Sequence, residues 1–167
     1  MYTIRKSEVA DIPRMLEIIA EAQAAFREQG IDQWQDGYPN KEVLLQDIEA
    51  GDSYVVLQEQ QIVATAMISF DGDPNYKLII GAWKNDLPYV VVHRIAVATS
   101  QKGKGIAGFI LDFARSLCKE RGVKCMRIDT HVDNVAMQRS IEKFGYYYCG
   151  IVFVRDGSER LAFELLI

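Results

Sequence analysis

The run Gly103-Lys104-Gly105-Ile106-Ala107-Gly108 leads into apolar residues of helical period, Ile106, Phe109, Ile110, Phe113 and Leu117. A helix that opens on glycines presents its first-turn N–H groups with few side chains over them. Those groups, aided by the helix dipole, bind phosphate oxygens, so the run is a candidate anion cradle. Just upstream, His93 stands in the β-branched run Tyr89 to Val97. An imidazole with an ordinary pKa of about 6.5 can take up a proton near neutral pH. The only other histidine, His131, lies past a second such run, Cys125 to Thr130, and ahead of Asn134. Asp129 and Asp133 beside it read as capping or solvated carboxylates. Cys118, Cys125 and Cys149 make neither a Cys-x-x-Cys nor a Cys/His spacing, so neither a metal site nor a disulfide framework is expected.

These groups need elements to position them. Tyr2 to Arg5 alternates as a short strand, and Ser7 to Pro13 starts a helix that Gly30 ends, with Ile12, Leu16, Ile19 and Phe26 on one face and Met15 and Ala22 beside them. Ile31 to Pro39, containing Gln33-Trp34-Gln35 and Tyr38-Pro39, fits neither period, and Asn40 caps a short helix through Ala50. Ser53 to Glu59 and Gln61 to Phe70 read as a hairpin. Asp71 to Pro88, which carries Tyr76 and Trp83, is long for a connection and is expected to be disordered or a functional lid. A strand from Tyr89 to Val97 precedes the glycine-led helix, which stops near Gly122. Cys125 to Thr130 is a strand, Asn134 to Phe144 a helix and Tyr146 to Val154 a strand; Asp156-Gly157 turns a last hairpin back through Arg160 to Leu166. The fold class expected is α/β (α+β), with a mixed, mostly antiparallel sheet of about seven strands flanked by about four helices.

At 167 residues and 49% hydrophobic, the chain suits a single domain over residues 1–167. Its 19 Lys and Arg against 23 Asp and Glu leave a net charge of -4, which argues against nucleic acid or an anionic membrane as partner and for a small molecule. No stretch approaches the roughly 18 apolar residues of a membrane span, and the start lacks a signal-peptide core, so a cytoplasmic location is expected. The apolar tail Leu161 to Ile167 suits either a dimer surface or a buried last strand.

As a bare pattern the glycine loop also satisfies Gly-x-Gly-x-x-Gly, with Asp129 about twenty residues on where a ribose-binding acid would stand. That fingerprint needs its first glycine directly after the strand, whereas Ala98 to Lys102 intervenes here and hairpins precede the loop. No Gly-Lys-Ser/Thr closes the run, which disfavours a nucleotide-triphosphate loop. A plain tight turn is the remaining alternative.

The run Ile95 to Ala107, taken with Asn134 and Phe144-Gly145-Tyr146, resembles the GNAT family of N-acetyltransferases. That family's signature is a strand, a Gln/Arg-x-x-Gly-x-Gly/Ala loop, a helix, and later an Asn leading a helix that ends on an aromatic-Gly-aromatic step. Lys102 departs from the Gln/Arg position. The resemblance implies acetyl-CoA as acetyl donor. Lys102, Gly103, Lys104, Gly105, Ile106 and Ala107 would wrap the pyrophosphate, with Gly108 letting the helix start close to it. Ile95, Ala96 and Val97 would offer main chain to the pantetheine, and Asn134 would bond its amide region. The implied reaction is transfer of acetyl from acetyl-CoA to a primary amine of a small molecule or peptide, by direct attack in a ternary complex.

Such a transfer needs a neutral amine, a stabilised oxyanion and a proton for the thiolate. His93, four residues before Val97 where the family often has a Glu, is the first candidate base; a structural hydrogen bond is the alternative for it and for His131. The Val97 N–H is the implied oxyanion donor. Where the family often has a tyrosine as acid, the chain has Ile141, so Tyr146, Tyr147, Tyr148, a water or unassisted departure remain open. An inert acyl-CoA-binding module of the same fold is the competing reading. For the acceptor, Trp34, Tyr38, Tyr76 and Trp83, with His131, either line a pocket or staple loops onto the core. No acidic cluster in those segments points to a polycation.

Overall fold

The left-handed pair Glu59 and Gln60, with φ of 48° and 66°, makes a tight turn whose twist matches a hairpin, although neither is glycine. It joins β2, Ser53–Gln58, to β3, Gln61–Ser69, and β1, Tyr2–Lys6, pairs antiparallel with β2 so that Ile4 meets Val56. The computed structural model describes residues 1–167. Its strands form one mostly antiparallel sheet of eight in the order β1-β2-β3-β5-β6-β8-β7-β4, with four α-helices. By their contacts the residues divide into two units, Met1–Ile68 with Arg94–Ile110, and Ser69–His93 with Leu111–Ile167.

In the first unit, α1, Ile12–Glu28, has Pro13 in its first turn, and the left-handed Gly30 lies just beyond it. Its buried face is Ile12, Met15, Ile18, Ile19 and Ala22; Ile18 joins the expected residues there, while Leu16, packed against the core, and Phe26 are half-buried. These residues pack with Leu44, Val55, Ala96 and Ala98 into one core cluster. The Asn40 side chain accepts from the Val43 N–H at 3.0 Å and so caps α2, Lys41–Glu49, as expected.

The second unit corrects two expectations. The segment Asp71 to Pro88 is neither disordered nor bare loop. It contains a 3₁₀ turn, Pro74–Lys77, and a short strand β4, Ile79–Gly81, which is the eighth strand that the expected count of about seven lacked. β4 pairs with β7, Tyr147–Phe153, and the two main chains approach closely. A Cβ on Gly150 would lie 2.1 Å from the Ile80 carbonyl oxygen, and one on Gly81 would lie 2.3 Å from that of Cys149. A three-residue strand made possible by two glycines has no hydrophobic period to reveal it.

The segment is also pinned from inside. Glu164 of β8, Glu159–Leu166, is wholly buried and accepts from Arg127 Nε at 2.8 Å, from the Lys84 N–H at 2.8 Å and from the Tyr147 hydroxyl at 3.2 Å. The Arg127 guanidinium lies 4.2 Å from both the Trp83 and the Tyr89 ring centres and donates to the Asn85 carbonyl at 2.7 Å. A charge inside a core is tolerable only when paired and hydrogen bonded in this way. β8 lies between β6, Cys125–Thr130, and β7, so much of its apolar tail, including Ala162 and Phe163, is buried within the sheet.

β5, Tyr89–Val97, runs parallel to β6 from Tyr89↔Cys125 to Val91↔Arg127, and the register stops there although both strands continue. Beyond it Arg94 has a φ of 54°, a left-handed conformation that a non-glycine residue in a strand adopts only under constraint.

Candidate functional site

Helix α3, Ile106–Arg121, begins on the glycine loop of the first unit. Lys102 to Gly105 are exposed while Ile106, 2% exposed, anchors the first turn in the core. Gly103 and Gly105 are left-handed, with φ of 76° and 81°, and a Cβ on either, or on Gly108, would meet open space. The main-chain N–H groups of residues 105 to 108 make no main-chain hydrogen bond. This is the arrangement an anion needs: several free donors, a helix N-terminus and no side chain over them. The turn before the loop is held from three sides. Ala98 N–H donates to the Val63 carbonyl at 2.8 Å, Thr99 N–H to Glu21 at 2.7 Å, and the Tyr2 hydroxyl to Gln101 at 3.1 Å.

Because Ala98 N–H points to β3, the N–H of Val97, one residue back, points to the opposite edge of β5. Ile95 and Val97 are half-buried and Ala96 is in the core. Arg94 holds the bend. Its guanidinium makes two bonds to Asp47 of α2, at 2.8 and 2.6 Å, and donates to the Tyr38 hydroxyl at 2.7 Å. Tyr38 is thereby tied to β5. Trp34, itself left-handed with φ of 59°, sets its ring edge-on to Phe26 at 5.8 Å and packs against the core.

In the second unit, His93 lies among groups drawn from separate segments. Its Nε2 is 2.8 Å from Asp73 Oδ2 and its Nδ1 is 3.7 Å from Asp129 Oδ2. Asp73 is fixed at the start of the 3₁₀ turn: its carboxylate accepts from the Asn75 N–H at 2.8 Å, and its own N–H donates to the Tyr89 hydroxyl at 3.1 Å. Tyr76, 2% exposed, donates to Asp129 Oδ2 at 2.6 Å and sets its ring edge-on to His93 at 5.8 Å. Burial and then the Asp129 charge hold the Tyr76 phenol well above its ordinary value of 10.0, so it is a donor only. Trp83 Nε1 donates to the Tyr76 carbonyl at 2.8 Å, which fixes the turn. Asp129, expected to cap or to be solvated, is instead a near-buried acceptor facing His93. A cleft of about 290 Å³ adjoins the cluster and shares Asp73 and Tyr89 with it; Phe70, Asp71 and Lys77 complete its polar and aromatic lining.

Of the remaining residues, His131 Nδ1 accepts from the Asp133 N–H at 3.0 Å in the turn before α4, Val135–Phe144. Asn134 caps that helix by accepting from the Met137 N–H at 3.2 Å. Ile141 is fully buried in it. Tyr147 donates to Glu164, and burial followed by that charge pushes its phenol up to about 12; Tyr148 is exposed. Tyr146 is buried with its hydroxyl unpartnered, and burial raises it further still.

The structure therefore brings His93 together with Tyr76, and adds Asp73 and Asp129, which the sequence reading left outside the site. Asp73-Pro74-Asn75 is legible as a turn, but nothing linear signals that Asp73 and Asp129 converge on one imidazole.

A family model described as the acetyltransferase (GNAT) family matches residues 15–146. Among solved structures, an acetyltransferase of the GNAT family from Streptococcus agalactiae is 34% identical over 99% of this chain and 95% of its own, with a TM-score of 0.89. A putative acetyltransferase from Salmonella typhimurium, solved with its cofactor acetyl-CoA, is 17% identical over 99% of this chain and 94% of its own, with a TM-score of 0.70. A ribosomal-protein-alanine N-acetyltransferase from Brucella melitensis is 19% identical over 99% of both chains, with a TM-score of 0.70. No protein of curated function matches.

Proposed function

Because the chain belongs to the GNAT family of acetyltransferases, we propose that it transfers the acetyl group of acetyl-CoA to a primary amine by direct attack, acting as a single domain in the cytoplasm. The observation that carries this reading is the loop from Lys102 to Gly108, whose N–H groups make no main-chain bond from Gly105 onward and whose glycines leave room for a pyrophosphate. Lys102 and Lys104 add positive charge beside it. The bound donor supplies an activated acetyl thioester. The main chain of Ile95, Ala96 and Val97 lines the pantetheine as an added strand would, with Asn134 bonding its amide region, and the outward N–H of Val97 stabilises the oxyanion.

An amine with a pKa near that of Lys, about 10.4, reaches the site as an ammonium. His93 takes one of its protons, and Asp73 fixes the ring and balances the imidazolium that results. The neutral nitrogen attacks the thioester carbon. As the C–N bond forms and the C–S bond breaks, the nitrogen loses its second surplus proton to solvent. The departing thiolate, comparable to a thiol of pKa about 8.5, leaves without a protein acid. Tyr147 already donates to Glu164, and Ile141 is apolar.

Acetyl-CoA at millimolar concentration is expected to raise the melting temperature of the wild type, and Gly105→Glu is expected to abolish the shift by filling the cradle. No shift for the wild type rejects the reading. The absence of a tyrosine at position 141 favours one second reading, a module that binds acyl-CoA without turnover. Thiol release with any member of an amine panel, lost in His93→Ala and kept in Ile141→Ala, excludes it.

A further inference from the structure

We propose that Arg94 is a positioning residue: its side chain, clamped to Asp47 and Tyr38, holds the Arg94 backbone left-handed and thereby sets the direction of the Val97 N–H. The inference rests on the reading of that N–H as the oxyanion donor. Of the four non-glycine residues with positive φ, Trp34, Glu59 and Gln60 lie in turns or irregular chain, and Arg94 alone lies within a strand. A residue with a Cβ disfavours this conformation, so the chain returns to the extended form unless something restrains it. The restraint is the guanidinium. It meets the Asp47 carboxylate as a fork, Nε to Oδ2 at 2.8 Å and Nη2 to Oδ1 at 2.6 Å, and Nη1 donates to the Tyr38 hydroxyl at 2.7 Å. A planar fork fixes direction as well as distance, which a lysine ammonium does not.

Both partners of the clamp are themselves fixed. Asp47 stands on α2 and its carbonyl accepts from the Asp52 N–H at 2.9 Å, while the Tyr38 carbonyl accepts from Gln23 of α1 at 3.1 Å. The Arg94 and Asp47 side chains are only 14% and 11% exposed, so water competes little for the pair. Arg94 is then the upstream of two anchors on β5. The downstream anchor is Ala98, whose N–H donates to the Val63 carbonyl at 2.8 Å. Only Ile95, Ala96 and Val97 lie between them, so the φ of 54° at Arg94 sets the path of that short span. Pairing with β6 ends at Val91, and no ladder on that edge restores the path if the clamp is released. An oxyanion donor acts only within about 3 Å of the developing charge, and a misplacement of about 1 Å can cost on the order of 100-fold in rate.

Arg94→Ala and Arg94→Gly delete the same side-chain bonds and leave the same Asp47 carboxylate without its partner. They differ in the backbone, because glycine reaches the left-handed region freely and alanine does not. Kinetics are measured with acetyl-CoA and whichever amine of a panel the wild type accepts, below the melting temperature of every variant. Arg94→Ala is expected to lose about tenfold or more in kcat, and Arg94→Gly to keep at least about fivefold more kcat than Arg94→Ala. Asp47→Ala, which frees an intact Arg94, is expected to fall as Arg94→Ala does. Adding Arg94→Gly to Asp47→Ala is expected to raise kcat again although a further side chain is lost. A strut that serves stability alone predicts activity that follows the melting temperature, with glycine no better than alanine. With ¹⁵N-labelled valine and no donor, the Val97 amide signal is expected to move in Arg94→Ala and to stay near its wild-type position in Arg94→Gly. The proposal is overturned if Arg94→Gly is no more active than Arg94→Ala, if the double variant is no more active than Asp47→Ala, or if the Val97 signal moves equally in both Arg94 variants. Should the wild type acetylate no amine, the acetyltransferase reading fails, and the Val97 signal still decides whether the clamp sets the strand. If Asp47→Ala does not fold, the two Arg94 variants stand as the test; if Arg94→Ala does not fold, Arg94→Lys, which keeps a charge for Asp47 but not the fork, takes its place.

Discussion

Asp73 and Asp129 both approach one imidazole, Asp73 at 2.8 Å from Nε2 and Asp129 at 3.7 Å from Nδ1. Asp73→Asn replaces a carboxylate by an amide that can point its NH₂ at Nε2 and reverse the tautomer. The expected result is a fall in kcat of about 10- to 100-fold with the acetyl-CoA melting shift unchanged, and steady-state kinetics beside thermal melts checks it. The buried thiols give a second prediction at this scale. Burial raises Cys118 from an ordinary 9.0 to about 11, and burial together with Glu164 raises Cys125 likewise. A thiol whose folded pKa is raised contributes stability that is fully present below pH 9.0 and is lost as pH rises through about 11. Urea midpoints are therefore expected to fall across that window, and to fall less in a Cys118→Ala, Cys125→Ala double variant.

Single elements here depend on one or two residues rather than on long patterns. β4 exists because Gly81 and Gly150 let two main chains approach within a distance no Cβ permits. Gly150→Ala is expected to destabilise the protein by about 2–4 kcal/mol and to raise protease sensitivity between residues 78 and 88, measured by urea melts and limited proteolysis. β5 has the opposite device, a left-handed Arg94 kept in place by Asp47 and Tyr38. Its bend follows the last residue that pairs with β6 and precedes Ile95 to Val97, the residues assigned to the donor. The strained residue lies between His93, whose ring meets Asp73, and the half-buried stretch Ile95 to Val97.

For the molecule as a whole, the Arg127–Glu164 pair is a buried ion pair joining β6 to β8. Arg127→Ala strands a wholly buried carboxylate, for which the expected cost is about 3–5 kcal/mol. An Arg127→Met, Glu164→Leu double variant is expected to recover much of that loss, since an apolar pair of similar volume removes both charges, and a double-mutant cycle by urea denaturation measures the coupling. The same pair fixes Trp83 and Lys84, so the single variant is also expected to loosen the turn that carries Asp73 and Tyr76.

Most of the order of elements was legible in the sequence, because hydrophobic period, the Asn40 and Asn134 caps and Gly30 are local signals and the elements obey them. The glycine loop was legible for the same reason: a helix that begins on glycines exposes its amides whatever packs elsewhere. What Asp71 to Pro88 does was not legible, since its order comes from Glu164 and Arg127, whose partners lie far along the chain. The sequence by itself determined the fold class and the glycine loop at the head of α3, both written in contiguous residues. Only the tertiary structure decided that Asp73, Tyr76, His93 and Asp129 meet at one point, because hydrogen bonds between distant segments follow from packing and leave no period or spacing behind.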